Sequence, residues 1–301
     1  MIRKHVPLLA ALALAACGGN PLNFAGTVVP EPTIPGEVGE PAPITGVSVP
    51  AVVAQHLKTA TYTPSAPTMK IDLRTLDGSP LEATYNRDAS LDVAGFEAYT
   101  VQESRSQRKF LALFKRSGAM EAGVVADGGQ FVNYFGGGTF ARLQPFSLPG
   151  ATGGGTLLAT YTGGYVGLLN FGTPQPGPGG AFDPSQSFRV EGEVMLNADF
   201  NASNLSVNGG VRNRTIVETG AALQDIFFEV TQITADGAFS GIVKFDPTKA
   251  IGNYAGAFGG AGASDVAGAV VLKPIDGDTT AREHGAFAMP KCAPGDPAPC
   301  P

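Results

Sequence analysis

The sequence predicts an all-β protein, a barrel or sandwich tethered to a membrane by lipid. Three observations predict that class. Short runs in which apolar and polar residues alternate recur from about residue 69 to 272, and alternation with period two is the mark of a half-buried strand. Glycine and proline are abundant, at 41 and 24 residues, and both break helices while marking turns. Hydrophobic residues make up 43% of the chain and charged residues only 15%, so material for a large core is present and the surface is polar but weakly charged.

The tether comes from the N-terminus. Arg3 and Lys4 precede the apolar stretch Val6 to Ala16, the layout of a secretory leader and too short for a permanent bilayer span. Leu14-Ala15-Ala16-Cys17 matches a lipobox, so residues 1–16 are expected to be removed and Cys17 to receive the lipid. Each buried methylene of such chains contributes roughly 0.8 kcal/mol, which anchors the protein without a transmembrane helix. Gly18, Gly19 and Asn20 follow, with no Asp directly after the cysteine to retain the protein at the inner membrane. The expected location is the outer membrane, possible exposure at the cell surface included. Losing Arg3 and Lys4 makes a chain of formal charge −6 still more acidic, and with no extended basic patch it excludes nucleic acid as a partner.

Residues 17–67 read as a linker, punctuated by prolines from Pro21 to Pro67, a composition that favours extended, semi-stiff chain. Within it Val49 to Thr61 holds one short apolar run. Beyond it, Phe96 to Glu103, Lys109 to Lys115, Glu121 to Val125 and Gln130 to Phe135 read as strands. Asp77-Gly78, Asp127-Gly128 and Asp236-Gly237 are hairpin turn signals. The second half is more regular. Between Phe188 and Phe200 one face carries Phe188, Val190, Gly192, Val194, Leu196, Ala198 and Phe200, and the other is polar apart from Met195. Leu205, Val207, Gly209 and Val211 return. Tyr161 to Phe171 precedes this pair, and strands around Ile226 to Val230, Ala238 to Val243, Asn253 to Gly259 and Val266 to Leu272 follow it. Many strands at even spacing with glycine corners imply a barrel or sandwich. With Trp absent, aromatic girdles are weak, and a soluble tethered barrel is expected rather than one that spans the membrane.

Asp236-Gly-Ala-Phe-Ser-Gly241, followed by Tyr254-Ala-Gly-Ala-Phe-Gly-Gly and a small-residue turn to Asp265 and Gly268, resembles the closing signature of transferrin-binding protein B-like lipoproteins. Asp199-Phe200 and Val207-Asn-Gly-Gly210 resemble the strand pair that precedes it. The resemblance covers residues 155–273. It departs at Ala238, at Gly259 where an aromatic is usual, and at Asp265 where Glu is usual. It implies an eight-stranded antiparallel β-barrel filled by its own side chains, at 151–275, preceded by a strand-rich handle domain at 68–150 and followed by a tail at 276–301. It also implies a single lobe. Members of that family are surface lipoproteins that bind a host or environmental protein or capture iron or haem, so transferrin itself is not carried over to a one-lobe chain.

Candidate chemistry is sparse. Cys292 and Cys300 close a short loop and read as a disulfide in an oxidising compartment. The alternative, a two-thiolate metal site, has only His284 to offer as a third ligand. His56 and His284, the histidines outside the leader, read as ordinary surface residues. No nucleophile motif accompanies Arg282-Glu-His284, and the glycine pairs lack the Lys-Ser/Thr of a phosphate loop. The cluster with Arg105 and Arg108 is either a hairpin tip or an anion or haem-propionate contact. The aromatic run with Tyr134 and Phe135 is either core or a protein-binding surface. These four are the ligand-binding candidates. The expected function is therefore a non-enzymatic binding protein without a cofactor, for a protein ligand or an iron- or haem-related solute. Its expected contacts are the membrane through the lipid and an outer-membrane receptor or translocator. The rival is an envelope-assembly lipoprotein that binds no solute.

Overall fold

A computed structural model describes residues 47–74, 80–102, 108–128, 134–150, 157–170, 187–273, 281–293 and 300. The leader, Cys17, Arg105 and the Asp77-Gly78 turn lie outside the described residues.

The chain forms two antiparallel sheets. After a single helical turn, α1 (Ala51–Ala54), the first sheet runs in sequence order as β1 (Leu57–Thr61), β2 (Thr68–Arg74), β3 (Pro80–Arg87), β4 (Glu97–Val101), β5 (Phe110–Ser117), β6 (Met120–Ala126) and β7 (Gly136–Arg142). The second comprises β8 (Leu158–Asn170), β9 (Phe188–Asp199), β10 (Ser206–Ile216), β11 (Ile226–Gln232), β12 (Ala238–Asp246), β13 (Lys249–Gly259), β14 (Asp265–Leu272) and β15 (Arg282–Pro290). Each of these pairs with its sequence neighbour, and β15 pairs back onto β8 from Arg282↔Asn170 to Phe287↔Tyr165. The result is a closed eight-stranded antiparallel barrel, which has no free edge to pair with another chain.

Three segments differ from the sequence reading. Residues 51–61, read as linker, hold α1 and β1, because Val53 and Leu57 are buried against the sheets. The strand expected to end at Phe135 begins at Gly136 instead. Its three opening glycines lie too close to neighbours for side chains: a Cβ on Gly138 would stand 2.5 Å from the Ala269 methyl. Arg282 to Pro290, read as tail, is the eighth barrel strand.

Alternation sorts the barrel into an inside and an outside. Tyr161, Tyr165, Val190, Val194, Leu196, Phe200, Phe228, Phe239, Tyr254, Phe258, Phe287 and Met289 form one buried cluster within it. Phe228 stacks on Tyr254 at 4.5 Å between ring centroids, and Phe200 meets Phe258 edge-on at 5.0 Å, both favoured aromatic geometries. The lumen is thus filled by the barrel's own side chains. Most outward residues of β8 and β13–β15 are small or β-branched, with Val166, Ala255, Ala257, Ala267, Ala269, Val271, Ala286 and Ala288 joined by the larger Leu168. They pack against Phe96, Leu111, Leu113, Met120, Val124 and Phe140 of the first sheet in a second cluster. Small residues on the barrel wall let the two sheets approach closely. The other face of the first sheet wraps a third cluster around Met69, Ile71, Leu73, Tyr85, Tyr99 and Phe114.

Polar contacts tie the sheets together. Asp265 of β14 accepts from the Ala119 N–H at 3.2 Å and sits against Gly118 in the β5–β6 turn. Arg142 of β7 donates to the carbonyls of Phe258 (2.9 Å) and Asp236 (2.6 Å). Arg189 of β9 donates to the Leu91 carbonyl at 2.8 Å while pairing with Glu218. The Cys292–Cys300 disulfide forms as expected, and the Cys292 N–H donates to the Thr160 carbonyl, fastening the chain after β15 onto β8.

Candidate functional site

Of the candidates drawn from the sequence, Arg108, Tyr134 and Phe135 lie near Asp127 at one end of the seam between the sheets, and Arg105 lies outside the described residues. Asp127, at the end of β6, is fully buried. Its carboxylate accepts from Arg108 Nη1 at 2.5 Å and from the Phe135 N–H at 3.0 Å. Its carbonyl accepts from Asn170 Nδ2 and Ser187 Oγ of the barrel. Arg108 also lies over the Phe110 ring, Tyr134 is buried, and Phe135 is half-buried, edge-on to His56 at 5.0 Å. Arg108 and Phe135 are therefore engaged with Asp127, which in turn joins β6 to the barrel through its carbonyl.

The two histidines meet the same seam, which corrects the expectation of surface residues. His56 hydrogen-bonds through its main chain to Gly136 and Arg74 and is partly buried. His284 projects outward from β15, is 1% exposed, and has no hydrogen-bond partner at either ring nitrogen among the described residues. Gly136 makes room for it: a Cβ there would stand 2.8 Å from His284 Nδ1. Burial, and then the positive neighbours His56, Lys273 and Arg282, lower its pKa to about 3, so the ring is neutral at physiological pH.

A buried ion pair lies across the barrel interior. Arg214 of β10 donates to Glu283 of β15 at 2.5 Å, and the Tyr165 hydroxyl donates to the other oxygen of Glu283 at 2.6 Å. Arg214 also donates to the Gln224 carbonyl. Both charged groups are fully buried, so the pair is matched and sealed rather than presented to a substrate. Its polar residues sit in alternating strands and are individually unremarkable in the sequence, which is why sequence reading passed over Arg214 and Glu283. Among the described residues, no three His, Cys, Asp or Glu side chains come together as a metal-holding group.

What remains on the outside is the barrel wall away from the first sheet. There Phe227, Val230 and Ile242 are 47%, 64% and 41% exposed. A shallow groove of about 370 Å³ is lined by Val230 and lies between Ala202 to Ser206, at the β9–β10 turn, and Val230 to Ile233, at the end of β11.

No family model matches the chain, and no curated protein matches it. Among solved structures it is similar to transferrin binding protein B from Haemophilus parasuis, at 13% identity and a TM-score of 0.37 over 78% of this chain and 43% of that one. The haemoglobin receptor HpuA from Kingella denitrificans shows 12% identity and a TM-score of 0.39, covering 80% of this chain and 85% of the receptor. A protein described as a surface lipoprotein shows 14% identity and a TM-score of 0.36 over 78% of this chain and 97% of that one. The chain thus spans less than half the length of the first of these. The barrel itself rests on the strand registers of β8–β15.

Proposed function

We propose that this chain is a non-enzymatic outer-membrane lipoprotein, held by lipid on Cys17, that binds a protein ligand with the exterior of a rigid two-sheet body. The observation that carries this reading is the filled lumen. Tyr161, Phe200, Phe228, Phe239, Tyr254, Phe258 and Phe287 occupy the interior that a haem or chelated iron would need, so a ligand meets the outside. The polar contacts between the sheets make that outside a fixed surface, and a binding protein requires only a shaped surface on a rigid scaffold. The buried Arg214–Glu283 pair and His284 are enclosed by packing, away from any substrate.

The test uses protein purified from its native envelope without refolding. Native mass spectrometry is expected to give the lipidated polypeptide, alone or with a protein bound, and no haem absorbance band. A bound haem or iron chelate would overturn the protein-ligand reading. A Cys17→Ser variant is expected to leave the membrane fraction, and its retention there would overturn the tether.

A further inference from the structure

We infer that the barrel wall built by β9–β12 is the docking surface, and that its partner is a protein segment presenting an apolar side chain flanked by Lys or Arg. This inference rests on the protein-binding reading above and gives it a place and a chemistry. The first sheet covers the outward residues of β8 and β13–β15. Among the described residues the opposite half of the wall has no such cover. Strand register gathers its apolar residues: Phe227 lies opposite Gly210 on one side and Lys244 on the other, and Ile242 is two residues from Lys244 on the same face. A Phe side chain beside a glycine stands clear of its neighbours.

Val230 is pushed outward by a built feature. Val207 pairs with Thr231 and Gly209 with Phe228, so Glu229 and Val230 together oppose Asn208 in a bulge. Between β11 and β12 only Phe227↔Lys244 and Phe228↔Val243 are in register. Side chains close the rest: Tyr254 Oη donates to the Glu229 carbonyl at 2.5 Å and Thr231 Oγ1 to the Ser240 carbonyl at 2.7 Å. Gly241 leaves the space through which the Tyr254 ring reaches that carbonyl. Bulges re-aim side chains and are specified features of a fold. Here the bulge sets Val230 between the exposed pair and the groove lined by Leu205 and Ile233.

Charge around the patch selects the partner. Lys244 and Glu229 neutralise each other at 2.6 Å. By strand register Glu193 faces Arg212 and Asp246 faces Lys249, so Glu191 on β9 and Asp225 ahead of β11 leave this wall net acidic around an apolar centre. Complementary potential favours a basic-rimmed partner and steers its approach. A second copy of the chain would bring one acidic wall against another, and an anionic lipid surface would meet the same repulsion.

The test replaces Phe227 or Ile242 with the photo-crosslinking residue p-benzoylphenylalanine in the full chain, expressed in its native envelope. Val52 and Leu148, exposed apolar residues elsewhere, serve as comparison positions. A protein adduct is expected from 227 and 242 and not from 52 or 148, on a segment that contains an apolar residue flanked by Lys or Arg. Its yield is expected to fall roughly fivefold or more in the Glu191→Lys/Glu193→Lys variant, as for loss of rim charge at an interface. If that variant does not fold, Glu191→Gln/Glu193→Gln replaces it and the yield is expected to fall in the same direction. Adducts from 52 or 148 alone would overturn the placement and leave protein binding standing, whereas no adduct at any position would overturn both. Adducts to a second copy or to an acidic segment, or a yield indifferent to the charge changes, would overturn the partner chemistry.

Discussion

His284 gives the seam between the sheets a pH dependence whose sign is fixed by its surroundings. Burial, with His56, Lys273 and Arg282 nearby, lowers its pKa to about 3, below the usual value near 6.5. The folded state thus binds fewer protons than the unfolded chain between those values, and stability falls as pH falls through that window. It is fully present above about pH 6.5. The expected loss is on the order of 1 kcal/mol per pH unit within the window. His56, also lowered mainly by burial, adds to it in the same direction. His284→Leu is expected to flatten the plot of melting temperature against pH relative to the wild type, and parallel plots for the two proteins would show that folding does not lower the His284 pKa. None of this was legible from Arg282-Glu-His284 as a sequence, because a histidine that follows two charged residues reads as surface. Asp265 is the opposite case. Its place in the closing signature singled it out, and its acceptance of the Ala119 N–H supplies a physical reason for an acidic side chain there.

At the scale of elements, legibility followed the polarity of the exposed face. β9 was readable because Val190, Val194, Leu196 and Ala198 point inward while Glu191, Glu193 and Asn197 face water. The Asp236-Gly237 turn was readable because Gly237 adopts a positive φ of 80°, a conformation that glycine adopts freely. β15 was not. Its inward Phe287 and Met289 alternate with Ala286 and Ala288, and both sets are buried, one in the barrel and the other against the first sheet. A strand buried on both faces has no polar partner to mark its period. The same closure makes the disulfide consequential, since Cys292 follows directly on β15 and its N–H is held by β8. The separation of 8 residues between the cysteines makes a short loop, whose closure contributes roughly 2 kcal/mol by restricting the unfolded chain. Cys292→Ser/Cys300→Ser is expected to lower unfolding free energy by about that amount in denaturant titrations. An unchanged midpoint would mean that β15 is secured by its ladder alone.

The described residues form two sheets whose shared core belongs to neither. On the barrel side the cluster consists of alanines and valines with Leu168, and on the other side it includes Phe96, Leu111, Leu113, Met120 and Phe140. Removing either sheet would expose an apolar face of the other. Asp265, Arg142 and Arg189 bridge the same boundary through main-chain groups on its other side, and the Asp127 carbonyl accepts from the Ser187 side chain of the barrel. Parting the sheets would therefore strand buried donors and acceptors, at a cost of about 1–3 kcal/mol each where no water replaces the partner. The expectation that follows is a single cooperative transition rather than separate melting of a handle and a barrel. Differential scanning calorimetry of the chain after removal of the leader is expected to show one peak, with calorimetric and van't Hoff enthalpies that agree. Two resolved peaks, the lower one removed by deleting residues 47–150, would show that the first sheet opens independently, and the wall of β13–β15 beneath it would then be a surface available to partners.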